Sequence, residues 1–128
     1  MTITGLDHIQ IAMPAGAEGA ARAFYGQLLG LREIAKPEAL RGRGGCWFAL
    51  PGAQLHLGVE AEFAAARKAH PAFLVADLAA LVRRLAEAGV ATTPDTAVAG
   101  VRRCYASDPF GNRIELIQHG DGFTQRGG

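Results

Sequence analysis

Apolar and polar residues alternate from Leu6 to Met13 (LDHIQIAM), and a period of two predicts a strand. From Gly16 to Leu29 the apolar positions change to helical spacing, and Gly30 supplies the stop. Three short segments suited to strands follow: Arg32 to Lys36, Gly45 to Leu50 after a glycine-rich turn, and Gln54 to Val59 after the Pro51-Gly52 turn. The order then recurs. Pro71 to Val75 reads as a strand, and Leu78 to Ala88 as a helix with Leu78, Leu81, Val82 and Leu85 on one stripe and Gly89 closing it. Val90 to Thr92, Val101 to Ala106 and Arg113 to Gln118 read as three more strands, the last preceded by the tight turn Asp108-Pro109-Phe110-Gly111-Asn112.

Overlaying the halves sets His8 on His70, 62 positions later, and His56 on Glu115, 59 positions later. Such similar offsets mark an internal duplication. The predicted fold is α+β: tandem βαβββ modules, about 1–59 and 69–119, in a single domain over 1–128. The segment from Glu60 to Lys68 links the modules. Such modules form a curved mixed sheet with helices on the convex side and a concave ligand cavity.

Parity decides what each strand shows to each face. Ile9, Ile11 and Met13 oppose His8, Gln10 and Ala12. Leu55, Leu57 and Val59 oppose Gln54, His56 and Gly58. Pro71, Phe73 and Val75 oppose His70, Ala72 and Leu74, while Ile114 and Leu116 oppose Glu115 and Ile117. In all four strands one face can pack a helix and the other carries a metal-capable side chain. A lone strand histidine is usually structural or solvated. Four coincident, duplicated positions instead point to a shared site, and a divalent cation would compensate a buried carboxylate there. His119, in the polar stretch after the last strand, reads as a solvated surface residue.

Composition narrows the rest. With 49% hydrophobic residues in 128, one contiguous core is expected. The 13 basic and 12 acidic residues nearly cancel without long runs, so a nucleic-acid partner has no support and a small molecule is the expected ligand. No stretch approaches the ~18 apolar residues of a membrane span, and the amino-terminal residues lack a secretory pattern, so a cytoplasmic protein is expected. Cys46 and Cys104 are then reduced, buried thiols. The Arg41-Gly42-Arg43-Gly44-Gly45 stretch reads as a mobile loop. Without a following lysine and helix it is no phosphate-binding loop.

The segments GLDHIQIAM and ARAFYGQLLGL near the start, with DPFGNRIELIQ near the end, resemble the glyoxalase, bleomycin-resistance and extradiol-dioxygenase superfamily, also called vicinal oxygen chelate proteins. The resemblance covers nearly the whole chain. It implies metal ligands on the first and last strands of each half, here His8, His56, His70 and Glu115, and it implies a homodimer. Three imidazoles and a carboxylate suit Zn²⁺, Ni²⁺, Fe²⁺, Co²⁺ or Mn²⁺ better than the oxygen-seeking Mg²⁺ or Ca²⁺. Glu115 is the candidate base. Arg103 and Tyr105, on one strand face that the motif match turns to the cavity, are candidate substrate contacts, as are Trp47 and Gln10.

Several reactions fit that resemblance. A lactoylglutathione lyase of this type often holds glutamate where His56 stands. Extradiol cleavage needs two histidines and a carboxylate, which His8, His70 and Glu115 supply, but leaves His56 as a fourth ligand. Fosfomycin-modifying transferases match in size yet need several basic groups. The alternative to a metal-dependent lyase, isomerase, dioxygenase or transferase is a metal-free protein that binds a drug-like compound.

Overall fold

The computed structural model describes residues 2–121, and the chain divides between Ala65 and Ala66 into two compact units. Each is a βαβββ module with its own four-stranded mixed sheet, so the α+β class and the duplication both hold.

In the first unit the strands are β1 (His8–Met13), β2 (Glu33–Ile34), β3 (Cys46–Leu50) and β4 (Ala53–Val59), in the order β1-β4-β3-β2. β1 runs parallel to β4, and the other pairs are antiparallel. The intervening helix, α1, covers Glu18–Ala21 and widens into a π-helical stretch over Arg22–Leu28. There the Leu29 N–H donates to the Phe24 carbonyl five residues back, at 2.9 Å. The widening keeps Phe24 and Tyr25 buried, with the Tyr25 ring 6.0 Å from that of Phe48 on β3. Ile11, Met13, Leu55 and Leu57 complete this core as alternation predicted, joined by Cys46 and Phe48 of β3. The glycine-rich stretch differs in part from expectation, because Arg41–Arg43 close a 3₁₀-helix that begins at Glu38, while Gly44 and Gly45 follow it with positive φ.

The second unit repeats the plan with β5 (Ala72–Val75), β6 (Thr92–Pro94), β7 (Arg103–Ser107) and β8 (Arg113–Gln118), ordered β5-β8-β7-β6. Its helix, α2, spans Leu78–Glu87. Asp77 caps its start by accepting from the Ala80 N–H at 3.1 Å. At its end Gly89 takes φ +81°, the Gly89 N–H donates to Ala86 and the Val90 N–H to Leu85, the paired bonds of a left-handed helix stop. Because Val90 is engaged in that stop, β6 begins two residues later than the hydropathy pattern suggests. Leu78 and Leu85 lie in the core with Cys104, Ala106, Ile114 and Leu116.

The Asp108–Asn112 turn sets the register of β8. Asp108, 5% exposed, accepts from the Phe110 N–H at 2.9 Å and the Asn112 N–H at 2.8 Å, and its other oxygen accepts from the Asn112 amide at 2.9 Å. The conspicuous Asp-Pro-Phe-Gly-Asn motif is thus a folding device. At the far end of β8, Gln118 accepts from the Leu78 N–H at 2.9 Å and so ties the strand to the start of α2. Among the described residues no helix is long and apolar enough to cross a membrane.

Two outcomes follow from this packing. Gly45 has φ +81°, and a Cβ there would stand 2.1 Å from the Leu57 carbonyl oxygen, a backbone atom that cannot swing aside. Gly45→Ala is expected to lower stability by about 2 kcal/mol or more, read by urea denaturation. Cys46 and Cys104 are free and buried, and burial pushes the Cys46 thiol up to about 11. Titration with an aromatic disulfide reagent at pH 8 should find both thiols inert until denaturant is added.

Candidate functional site

In the first unit the face opposite the core carries a ladder of rings. Register sets Trp47 directly across from His56, and Gln10 across from it on the other side. Trp47 stacks on His56 with centroids 3.6 Å apart and planes 3° from parallel, and His8 covers the other side of His56 at 4.2 Å and 15°. His56 is therefore sandwiched and only 4% exposed, whereas the His8 side chain is 43% exposed. Burial, and next the adjacent His8, hold the His56 imidazole below the usual histidine range, in its neutral form. Gln10 lies flat across Gly58, where an added Cβ would meet its amide nitrogen at 2.6 Å.

In the second unit the equivalent face carries charge. Glu115, 5% exposed, places Oε1 2.9 Å from His70 Nε2 and accepts at Oε2 from an Arg103 guanidinium N–H at 3.0 Å. Arg103 also donates to the Tyr105 hydroxyl at 3.0 Å and pairs with Asp95 at 2.9 Å. The bond to Glu115 raises the basicity of the Arg103 guanidinium further. Tyr105 stands directly across from Glu115, with the His70 ring edge-on at 5.5 Å and the Arg113 guanidinium 3.8 Å from its centroid. His70 precedes β5 instead of lying within it. Pro71 does not disturb the ladder, for its carbonyl accepts the Glu115 N–H at 3.0 Å.

Two of the four expected donors come together in each unit: His8 with His56, and His70 with Glu115. Among the described residues no group of three or more His, Cys, Asp or Glu side chains stands ready to hold a metal ion. Sequence reasoning named all four residues but missed their partners. The His8 Nδ1–H donates to Asp7 at 2.8 Å, the His56 Nε2–H to the Gln54 amide oxygen at 2.9 Å, and the His70 Nδ1–H to the Lys68 carbonyl at 2.7 Å. Asp7 and Gln54 carried a signal, one being adjacent to its histidine and the other two residues away on the same strand face. The Lys68 carbonyl and Asp95 carried none.

These oxygen partners test the fit of a metal. An imidazole that ligates through one nitrogen characteristically donates from the other to a carboxylate or carbonyl, which fixes tautomer and aim. His8, His56 and His70 all have that partner. The other nitrogen of His70, Nε2, faces Glu115 Oε1 at 2.9 Å, hydrogen-bonding distance, so a proton joins the two. An ion bound by this pair would displace that proton and sit to one side of the N–O line. An imidazole nitrogen beside a carboxylate oxygen is a donor set that suits a divalent ion. The His8–His56 pair fits only in part. Lone pairs lie in the ring planes, and two nearly parallel rings do not converge on one ion, so as stacked His8 offers the accessible nitrogen and His56 supports it.

The expected role of Glu115 as an unpaired buried carboxylate needs correction, because Arg103 already meets one of its oxygens. Arg103 is correspondingly engaged by protein groups on several sides.

The family model for the Glyoxalase/Bleomycin resistance protein/Dioxygenase superfamily matches residues 5–116. No curated protein matches the chain. Among solved structures the chain is similar to a Bacillus anthracis protein assigned to the glyoxalase family, with 47% identity, a TM-score of 0.89 and coverage of 92% of this chain and 97% of that one. At 19% identity it shares its fold with the genomically encoded fosfomycin resistance protein of Listeria monocytogenes, with a TM-score of 0.76 and coverage of 98% and 99%. It likewise shares the fold, at 19% identity, with lactoylglutathione lyase of Agrobacterium tumefaciens, with a TM-score of 0.71 and coverage of 93% and 96%. With a family match over nearly its whole length, the chain belongs to the glyoxalase, bleomycin-resistance and dioxygenase superfamily.

Proposed function

We propose that this protein is a divalent-metal-dependent enzyme acting on a small substrate that presents neighbouring oxygens, with His70 and Glu115 as metal donors in the second unit and His8 and His56 as candidate donors in the first. The observation that carries the reading is the His70–Glu115 contact, an imidazole nitrogen 2.9 Å from a buried carboxylate oxygen, each fixed from behind by the Lys68 carbonyl and by Arg103. Zn²⁺, Ni²⁺, Fe²⁺, Co²⁺ and Mn²⁺ suit such donors. When bound, such an ion supplies Lewis acidity to paired substrate oxygens.

The remaining chemistry belongs to the chain. Glu115 is the only carboxylate named at this face that is both buried and directed at a donor histidine, so it is the group to accept and return a substrate proton. Trp47, Gln10 and Tyr105 border the donors and are the proposed substrate contacts. In this reading the chain works as one cytoplasmic domain, 1–128, within a homodimer. Isomerase, lyase, dioxygenase and transferase chemistry all satisfy this arrangement.

The competing reading is a metal-free protein that binds a small or drug-like molecule. It is favoured by one specific observation: Arg103 offsets the Glu115 charge without any metal.

Metal analysis decides between them. Protein purified without chelator and supplied with Zn²⁺ or Co²⁺ is expected to hold a stoichiometric ion. His70→Ala and Glu115→Ala should each weaken binding by more than about 100-fold, beyond what loss of a supporting hydrogen bond costs, while folding by circular dichroism. Wild-type protein that binds neither ion, or variants that bind as wild type does, would leave the metal-free reading standing.

A further inference from the structure

We propose that Asp95 is a positioning residue for Glu115, acting through Arg103: it balances the guanidinium so that Arg103 orients the Glu115 carboxylate without cancelling its charge. The inference rests on the reading of Glu115 as a metal donor and adds to it a residue from outside the conspicuous motifs.

The geometry is a line of groups in which every oxygen has one task. Asp95 Oδ1 accepts the Ala97 N–H at 2.9 Å, which leaves Oδ2 to meet Arg103 at 2.9 Å. The Asp95 backbone N–H also donates to the Arg103 carbonyl at 3.1 Å, so residue 95 is tied to residue 103 by main chain as well as side chain. Arg103 then reaches Glu115 Oε2, Glu115 Oε1 faces His70 Nε2, and His70 Nδ1–H ends the line on the Lys68 carbonyl. The Arg103 and Glu115 side chains are 10% and 7% exposed, and that of Asp95 is 27% exposed at the outer end.

Charge gives Asp95 its significance. A guanidinium facing Glu115 alone would neutralise the carboxylate and oppose a second cation at its other oxygen. With Asp95 on the far side, Asp95, Arg103 and Glu115 together carry one net negative charge, and Oε1 is where a further positive charge is accommodated. The planar fork of arginine makes this possible by reaching Asp95 through one terminal nitrogen and Glu115 through the other.

The experiment compares wild type with Asp95→Asn and Asp95→Glu. Cobalt affinity is read from the visible absorption of bound Co²⁺, and the Arg103 guanidinium resonances from ¹⁵N-labelled, metal-free protein. Asp95→Asn is expected to weaken Co²⁺ binding about ten-fold and to change the cobalt spectrum, while Asp95→Glu recovers most of the affinity. In metal-free protein the Arg103 resonances should show hindered rotation that is lost in Asp95→Asn and in Glu115→Gln. Folded Asp95→Asn with wild-type Co²⁺ affinity would overturn the proposal, and so would Arg103 resonances that neither substitution alters. Wild type that binds no Co²⁺ but loses the hindered rotation in both variants would instead defeat the metal reading while sustaining the positioning of Glu115.

Discussion

A carboxylate with 5% of its surface exposed persists in a protein only where its charge is met, and the second unit is arranged around meeting that of Glu115. Its two oxygens face different partners, Arg103 on one side and His70 on the other. Each partner is held by groups from elsewhere in the unit. Asp95 follows β6, Arg103 begins β7, Glu115 lies in the middle of β8, and His70 with Lys68 precedes β5. The charge of one side chain thus constrains all four strands, because the sheet order β5-β8-β7-β6 is what brings those segments side by side.

Such an arrangement tolerates no slip in register. A shift of one residue in β8 would turn Glu115 toward the helix and Leu116 toward the open face. The Asp108–Asn112 turn prevents it, with both Asp108 oxygens engaged and Asn112 held by backbone and side chain. Gln118 fixes the opposite end of the strand to α2 and Ala76. The residues of the Asp-Pro-Phe-Gly-Asn turn therefore act by setting where Glu115 stands.

This explains which features could be read from the sequence. Strand alternation and the spacing of α2 are local properties, and they correctly assigned the core residues Ile11, Met13, Leu55, Leu57, Leu85, Ile114 and Leu116. The repeat came from comparing distant positions, which set His8 on His70 and His56 on Glu115, whereas the contacts of His8 with His56 and of His70 with Glu115 emerge only from the strand register. The polar partners were less legible. A backbone carbonyl such as that of Lys68 has no signature in a sequence, and Asp95 meets Arg103 only because β6 pairs with β7. An element end was missed where hydrogen bonding overrode hydropathy, at Val90 in the stop of α2, and the first helix ended where expected but with an unforeseen π-helical widening. Parity placed His56 on the correct face but could not tell that its ring would be stacked between Trp47 and His8.

Comparing the two units position by position gives a physical reason for their difference. Trp47 stands across from His56 as Tyr105 stands across from Glu115, and Gln10 and Ala72 occupy the corresponding positions on the parallel neighbour. In the same register Arg103, opposite Ile117, corresponds to Gly45 beside Cys46. A neutral, buried His56 needs no counter-ion and is accommodated by aromatic surfaces on both sides, so the position that holds arginine in the second unit is free to be a glycine. There the positive φ and the nearness of the Leu57 carbonyl admit no side chain at all. A buried glutamate has the opposite requirement, and Arg103 and Asp95 satisfy it. The duplicated scaffold thus supports two local solutions, neutral ring stacking around His56 and an alternating line of charges around Glu115. The single difference of imidazole against carboxylate is enough to determine which neighbours each half must carry.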